Sequence, residues 1–371
     1  MSQSIKKIAI VSNTAWNIYN FRMRLIKELK AKGYEILVIA PRDDYAGKIE
    51  QEKVSFRHIS IDNKGTNPFQ DFRLIFDFFK MFKRERPSLV LLYTIKPNIY
   101  GSIAAHLLNI PVINNVAGLG TLFIKYNWLT KIAEYLYRYA LRHSVKVFFQ
   151  NNDDMHLFVK KKIVKKTNAE RIPGSGIDHK KFAPYPVIKN RSRFTFLLSS
   201  RMIGDKGIGI YVEAARILKD KYKNIEFQLL GFMDVKNPSA ISREQMHQWV
   251  NAGIVNYLGE TDNVIDYILK ADCVVLPSYR EGVPRSLLEA ASLAKPIITT
   301  NCSGCRDVVD DGINGYLCKP NNALDLAEKM EHMIHLSDQE RYLMGLRGRE
   351  KMIREFDEAI VIQRYLDMVS L

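Results

Sequence analysis

Cysteine is scarce in this sequence. There are four, Cys273, Cys302, Cys305 and Cys318, all in its second half, so no disulfide framework is indicated and a reducing compartment would keep them as thiols. Long apolar runs are missing too. Nothing approaches the roughly 18 consecutive apolar residues of a spanning helix. The opening Met1-Ser2-Gln3-Ser4-Ile5-Lys6-Lys7 leads into a strand-like run rather than an apolar leader, so the chain is expected to stay inside the cell. Acidic residues are short in one half only. Residues 1–170 hold 28 Lys+Arg against 14 Asp+Glu, whereas residues 171–371 hold 27 against 26. Nearly all of the net charge of +15 therefore sits in the first half. A one-sided basic half suits nucleic acid, an anionic membrane face or a polyanionic substrate, and charge alone does not choose among them.

At 371 residues, with 47% hydrophobic and 26% charged residues, the chain should fold and is long for one core, so two domains are expected. The first half alternates apolar runs with helical segments. Ile8–Ser12, a helix from about Tyr19 to Lys32, then Ile36–Ala40 form a βαβ unit. Leu89–Tyr93, Pro111–Asn114 and Val145–Phe149 read as further strands, with helices starting near Pro68, Ile99 and Trp128. Residues 178–192 carry Pro184 and Pro186 without any period and read as a connector between residues 1–177 and 193–356. The rhythm then restarts with strands at Phe194–Leu198, Ile225–Gly231, Val255–Gly259, Cys273–Pro277 and Pro296–Thr300. Apolar strands separated by helices predict parallel sheets covered on both faces. The last segment, 357–371, either completes the second domain or crosses back to pack on the first.

The most informative stretch runs from Pro277 to Ala290. A strand ends at Pro277, Gly282 allows a tight turn, and Pro284 suits the first position of a helix. A helix N-terminus beside a strand's carboxyl end offers N–H groups and partial positive charge to a diphosphate. Arg285 and Ser286 keep their N–H groups there. Glu281 and Glu289 would repel a diphosphate if they faced it, so sugar and ribose hydroxyls are their expected targets.

Glu281 and Glu289, seven residues apart in Glu-Gly-Val-Pro-Arg-Ser-Leu-Leu-Glu-Ala, resemble the E-x7-E motif of family 4 retaining glycosyltransferases. Ser199-Ser200-Arg201-Met202-Ile203-Gly204-Asp205-Lys206-Gly207 is similar to that family's basic pair after the first strand of the donor domain. The resemblance implies the GT-B fold, two doubly wound Rossmann-like α/β domains facing across a cleft. It implies that Arg201 and Lys206 hold the donor diphosphate, Glu281 the transferred sugar and Glu289 the ribose, with Gly282, Val283, Arg285 and Ser286 as further donor contacts. Two cations beside a departing diphosphate need no metal, and no cofactor beyond a UDP-sugar donor is expected. Tyr19-Asn20-Phe21-Arg22, Gly118-Leu119-Gly120, Asn237-Pro238-Ser239 and Cys302-Ser303-Gly304-Cys305 resemble one bacterial branch, which adds N-acetylgalactosamine or a related sugar to undecaprenyl-diphosphate-linked glycans. A lipid-linked saccharide is then the implied acceptor.

The chain departs from the family in two places. Asn13-Thr14-Ala15-Trp16-Asn17 stands where many members carry a Gly-Gly turn, and Thr94-Ile95-Lys96-Pro97-Asn98 where many carry a histidine. No catalytic histidine is therefore assigned; His106 and His143 are expected to be structural. Asn17, Lys96, Asn98, Gly118 and Gly120 are the candidate substrate contacts of the first domain. Cys302 and Cys305 form a C-x2-C pair, but two further ligands at zinc spacing are missing.

The basic excess gathers in Lys160-Lys161-Lys162 with Lys165-Lys166, and in Lys80, Lys83, Arg84 and Arg86. Both clusters read either as solvated helix faces or as an anionic-membrane surface, with Phe123, Tyr126 and Trp128 near a loop that enters the lipid interface. The expected setting is peripheral, on the inner face of the cell membrane. Two rival readings stay open: a UDP-sugar epimerase of the same fold, and a nucleic-acid-binding protein using the basic half. No recognisable nucleic-acid module supports the second.

Overall fold

The computed structural model describes residues 6–62, 67–119, 128–187, 193–235 and 237–370. Gly120, Phe123 and Tyr126 lie outside the described residues. The chain divides into two units, residues 1–175 with 359–371, and residues 176–358.

In the first unit β1 (Lys7–Val11), α1 (Ala15–Ala31), β2 (Glu35–Ala40), α2 (Ala46–Gln51) and β3 (Ser55–His58) are followed by α3 (Pro68–Glu85), β4 (Leu89–Tyr93), α4 (Ser102–Leu107), β5 (Val112–Val116), α5 (Trp128–Leu141), β6 (Lys146–Phe149), α6 (Asn152–Lys160) and β7 (Ala169–Arg171). In the second come β8 (Phe194–Ser199), α7 (Ile208–Lys221), β9 (Ile225–Leu230), α8 (Arg243–Asn251), β10 (Asn256–Tyr257), α9 (Val264–Lys270), β11 (Cys273–Leu276), α10 (Arg285–Ser292), β12 (Ile297–Thr300), β13 (Gly315–Cys318), α11 (Ala323–His335) and α12 (Asp338–Glu355). The last helix, α13 (Glu358–Val369), belongs almost wholly to the first unit.

The apolar runs form the strands because both of their faces are covered. The first sheet has the order β3-β2-β1-β4-β5-β6-β7 and the second β10-β9-β8-β11-β12-β13, with every adjacent pair parallel. One face of the first sheet packs on α3, α4, α5 and α6, the other on α1, α2 and α13. Local chemistry sets the helix starts. Thr14 caps α1 by accepting from the Asn17 N–H at 3.1 Å, Asn67 caps α3 ahead of Pro68, and Ser337 with Glu340 forms a capping box on α12.

Strands β3, β7 and β13 were not predicted. They are only three or four residues long, and their runs alternate or carry charge (Ser55-Phe56-Arg57-His58, Ala169-Glu170-Arg171), which leaves little apolar signal. Of the expected connector, residues 188–192 lie outside the described residues. Asp178 accepts from the N–H groups of Lys180 and Lys181, each at 3.0 Å, and Phe182 is buried among second-unit residues while its carbonyl accepts from Ser292 and Arg349. Residues 178–182 are thus structured against the second unit, because an anchored aromatic ring outweighs prolines a few residues on.

Tyr365 of α13 is buried in the first unit. Its ring centroid lies 5.0 Å from that of Phe148 and 6.1 Å from that of Tyr93, and its hydroxyl accepts from the Asn115 amide at 2.9 Å. In each sheet the strand order reverses at one point, between β1 and β4 and between β8 and β11. The loops leaving those strands at their carboxyl ends are where an open α/β sheet offers a binding crevice.

Candidate functional site

The second unit's reversal point holds three of the predicted residues. Arg201 and Lys206 lie on the loop after β8, and Glu281 on the loop after β11. Lys206 pairs with Glu281, and Ser278 Oγ donates to the same carboxylate oxygen at 2.8 Å. Ser278 is fully buried, and its carbonyl accepts from the hydroxyl of Thr300 and, at 3.3 Å, from the thiol of Cys302. Glu281 is thus held from two sides, by a cation and by a serine that β12 and its following turn fix in place. Arg201 is exposed.

Three glycines let these loops touch backbone to backbone. Gly207 has φ +74°, and a Cβ there would stand 2.0 Å from the Pro277 carbonyl oxygen; at Gly304, with φ +79°, it would stand 2.1 Å from that of Gly282. Gly231, with φ +139°, would meet the Ser200 oxygen at 1.8 Å. No side chain fits at any of the three, so glycine there locks the loops after β8, β9, β11 and β12 together.

Helix α10 starts at Arg285, with Pro284 as its N-cap residue, one position later than predicted. The first-turn N–H groups of a helix have no intrahelical partner, which at this end concerns Arg285 and Ser286, since Pro284 carries no N–H. Glu289 lies one turn on. Arg285 Nε donates to it at 3.2 Å and Nη1 to the Gly176 carbonyl at 2.7 Å. Burial pushes the Glu289 carboxyl above the usual range, with Arg285 opposing. Each of the two glutamates therefore carries a basic partner, Arg285 at i,i+4 spacing on the same helix and Lys206 from a loop far away in sequence.

Residues 303–308 form successive turns, with Gly304 in the left-handed region. Cys302 and Cys305 are buried thiols. Among the described residues no group of three or more His, Cys, Asp or Glu side chains is placed to hold a metal ion.

At the first unit's reversal point, Lys96, Asn98 and Gly118 line one cavity of about 240 Å³ with Asn13, Thr94 and Tyr137. Lys96 reaches Asp71 at 2.7 Å, and Tyr100 donates to the other oxygen of that carboxylate at 2.7 Å. Asn98 is 1% exposed, donates to the Asn115 carbonyl at 2.8 Å and accepts from Asn114 at 3.0 Å. The π-helical turn Pro97–Gly101 carries it inward, into a hydrogen-bonded network with the buried amides of Asn114 and Asn115. Asn17 stays in the first turn of α1, accepting from Ser12 at 3.2 Å. His106 packs edge-on against His143, and burial lowers its pKa to about 4.

Two family models divide this chain between them. "Glycosyl transferase 4-like" matches residues 7–151 and "Glycosyl transferases group 1" residues 183–351. A Campylobacter jejuni protein, N,N'-diacetylbacillosaminyl-diphospho-undecaprenol alpha-1,3-N-acetylgalactosaminyltransferase, is 30% identical over 98% of this chain and 98% of its own. The chain belongs to the group 1 glycosyltransferases. An Escherichia coli relative, UDP-Gal:alpha-D-GlcNAc-diphosphoundecaprenol alpha-1,3-galactosyltransferase, is 24% identical over 81% of this chain and 80% of its own. Among solved structures, Anabaena HepE in complex with UDP and glucose superposes with a TM-score of 0.81 at 17% identity, covering 98% of this chain and 99% of that one. A Rickettsia africae glycosyltransferase superposes at 0.79 and 18% identity, covering 98% of each chain. The fold of this glycosyltransferase is GT-B, with a doubly wound sheet in each unit, and the protein is an enzyme of the transferase class.

Sequence reasoning missed Ser278. Its signal was present as a serine three residues before Glu281 and two past the end of β11.

Proposed function

We propose that this glycosyltransferase moves an N-acetylhexosamine, N-acetylgalactosamine as the first candidate, from a UDP-sugar to a saccharide linked to undecaprenyl diphosphate, with retention of anomeric configuration. The observation that carries the reading is the end-to-end identity of 30% to the C. jejuni N-acetylgalactosaminyltransferase, whose named acceptor is a diphospho-undecaprenol sugar. The E. coli relative is named for the same lipid diphosphate, and HepE was solved with UDP.

On this reading Arg201 and Lys206 bind the donor diphosphate and stabilise charge as it leaves. Glu281, steadied by Ser278, accepts from hydroxyls of the transferred sugar. Glu289 accepts from the ribose, and the backbone from Gly282 to Ser286 faces the nucleotide. Two cations supply the compensation that a metal gives elsewhere, so transfer is metal-independent. The leaving phosphate takes the acceptor proton on the face it departs from, and no side-chain base is required. Lys96 and Gly118 contact the acceptor from the first unit's cavity. Among the described residues no helix is long and apolar enough to cross a membrane. The basic first half then serves to hold the enzyme peripherally on the anionic inner face of the membrane, where its acceptor lies.

The test is transfer from labelled UDP-N-acetylgalactosamine to a diphospho-undecaprenol-linked sugar, with and without EDTA, followed by NMR of the new linkage. An α-linked product at an unchanged rate in EDTA is expected. Conversion of the UDP-sugar to its epimer without acceptor, or a β-linked product, would refute it.

A further inference from the structure

Two helices of the first unit carry aromatic side chains on the side away from their core. On α3, Leu74, Phe78 and Phe82 are buried, while Phe69, Phe72 and Phe76 are 86%, 74% and 52% exposed. At about 100° per residue the exposed three span about 60° of arc, opposite the buried three. Helix α5 repeats the arrangement. Ala133, Tyr137 and Leu141 face inward, and Trp128, Ile132, Tyr135 and Tyr139 are 67%, 47%, 66% and 45% exposed. Both helices and the intervening α4 cover the same face of the first sheet and share one core, so both stripes point outward from one layer. A protein that stayed in water would not keep three phenylalanines and a tryptophan so exposed in two ordered rows.

The charges around the stripes are of one sign. Acidic groups are neutralised in place: Asp71 by Lys96, Glu134 by Lys161, and Asp77 lies 3.9 Å from Arg73. Exposed cations remain beside the rings. The Lys80 ammonium sits 4.3 Å from the Phe76 ring centroid and the Arg142 guanidinium 4.5 Å from that of Tyr139, with Lys83 and Lys131 nearby on the same helices. A second copy of this face would set cation against cation, whereas an anionic lipid surface complements it. Rings that enter the headgroup layer beside cations that stay with its phosphates are what an interfacial helix requires.

We propose that the outward face of α3 and α5 is the surface on which this enzyme sits on an anionic bilayer, with Phe69, Phe72, Phe76, Trp128, Tyr135 and Tyr139 entering the headgroup region. The proposal rests on the peripheral-membrane reading above and moves the contact away from the Lys160–Lys166 cluster, whose Lys161 is engaged by Glu134.

The test is co-sedimentation of the full chain with vesicles of phosphatidylcholine alone and with added phosphatidylglycerol. The wild type is compared with Phe69→Ser/Phe72→Ser/Phe76→Ser, with Trp128→Ser/Tyr135→Ser, and with Lys160→Gln/Lys162→Gln/Lys165→Gln. Each aromatic variant should lose roughly tenfold or more in affinity for the anionic vesicles, the lysine variant less than about threefold. Transfer to a water-soluble acceptor analogue should stay at wild-type rate, which reports the fold. In a Trp16→Phe/Trp249→Phe background, Trp128 fluorescence should be quenched by brominated lipid. Unquenched Trp128, wild-type binding by both aromatic variants, or a wild-type dimer that they disperse overturns the proposal. Binding lost only with the lysine variant refutes this face but keeps the peripheral reading. No binding by the wild type refutes both.

Discussion

Lys206→Ala separates the two consequences of the Lys206–Glu281 pair. The two side chains are 17% and 12% exposed, so the alanine strands a largely buried carboxylate. Breaking a fully buried pair costs about 3–5 kcal/mol. Here the remaining exposure and the Ser278 hydrogen bond at 2.8 Å soften the loss to about 1–3 kcal/mol. A unit of this size shifts about 2–4 °C per kcal/mol, so its melting should fall by about 2–12 °C. Adding Glu281→Gln removes the stranded charge, and the double variant should regain at least half of that shift. Turnover should behave otherwise. It falls about 10²-fold or more on loss of the cation at the leaving diphosphate and is not restored in the double variant. The assays are thermal melts of all four proteins and initial rates of UDP release below the lowest melting point. An unchanged melt for Lys206→Ala, or turnover recovered by Glu281→Gln, would refute the argument.

Glu289→Gln should raise the Kd for UDP while leaving kcat within about threefold, and Glu281→Gln should lower kcat with little change in UDP affinity, as calorimetry and initial rates will show. The raised pKa of Glu289 means that its carboxylate is protonated at a higher pH than an ordinary one as acid is added. UDP affinity should accordingly decline earlier on the acid side in the wild type than in Glu289→Gln, measured as Kd against pH. Gly207→Ala, with its Cβ 2.0 Å from the Pro277 oxygen, should cost more than about 2 kcal/mol in urea unfolding and weaken donor binding. Gly209→Ala, two residues on in α7 with nothing within 4 Å of its Cβ, should leave both unchanged or gain up to about 1 kcal/mol.

Much of this architecture was legible before any coordinates. Long apolar runs such as Leu89–Tyr93 and Cys273–Leu276 announce central strands because both of their faces are buried, and they are also the strands whose ends carry the candidate site. Edge strands such as Ala169–Arg171 escape notice because half of their surface meets solvent. Residue types at Arg201, Lys206, Glu281 and Glu289 indicated a donor site, and the Arg285–Glu289 pair follows from i,i+4 spacing on one helix, but the pairing of Lys206 with Glu281 depends on loops far apart in sequence, which only the fold brings together. Asn98 shows the limit most plainly: its place after a strand does not announce the π-helical turn Pro97–Gly101 that sets it beside the buried amides of Asn114 and Asn115.

Helix α13 has a consequence for how the molecule is made. The hydroxyl of Tyr365 satisfies the Asn115 amide, and its ring fills the space beside Tyr93 and Phe148, yet it is translated about 190 residues after the rest of that unit ends at Ser175. At roughly 5–20 residues per second, the half synthesised first waits about 10–40 s on the ribosome with one wall of its interior open. The second unit, contiguous in the chain, has no such wait. The earliest domain to emerge is therefore the last to close, and nascent-chain chaperones would meet it with an apolar flank exposed. A truncation at the carboxyl end would injure the opposite half of the protein from the one it adjoins in sequence.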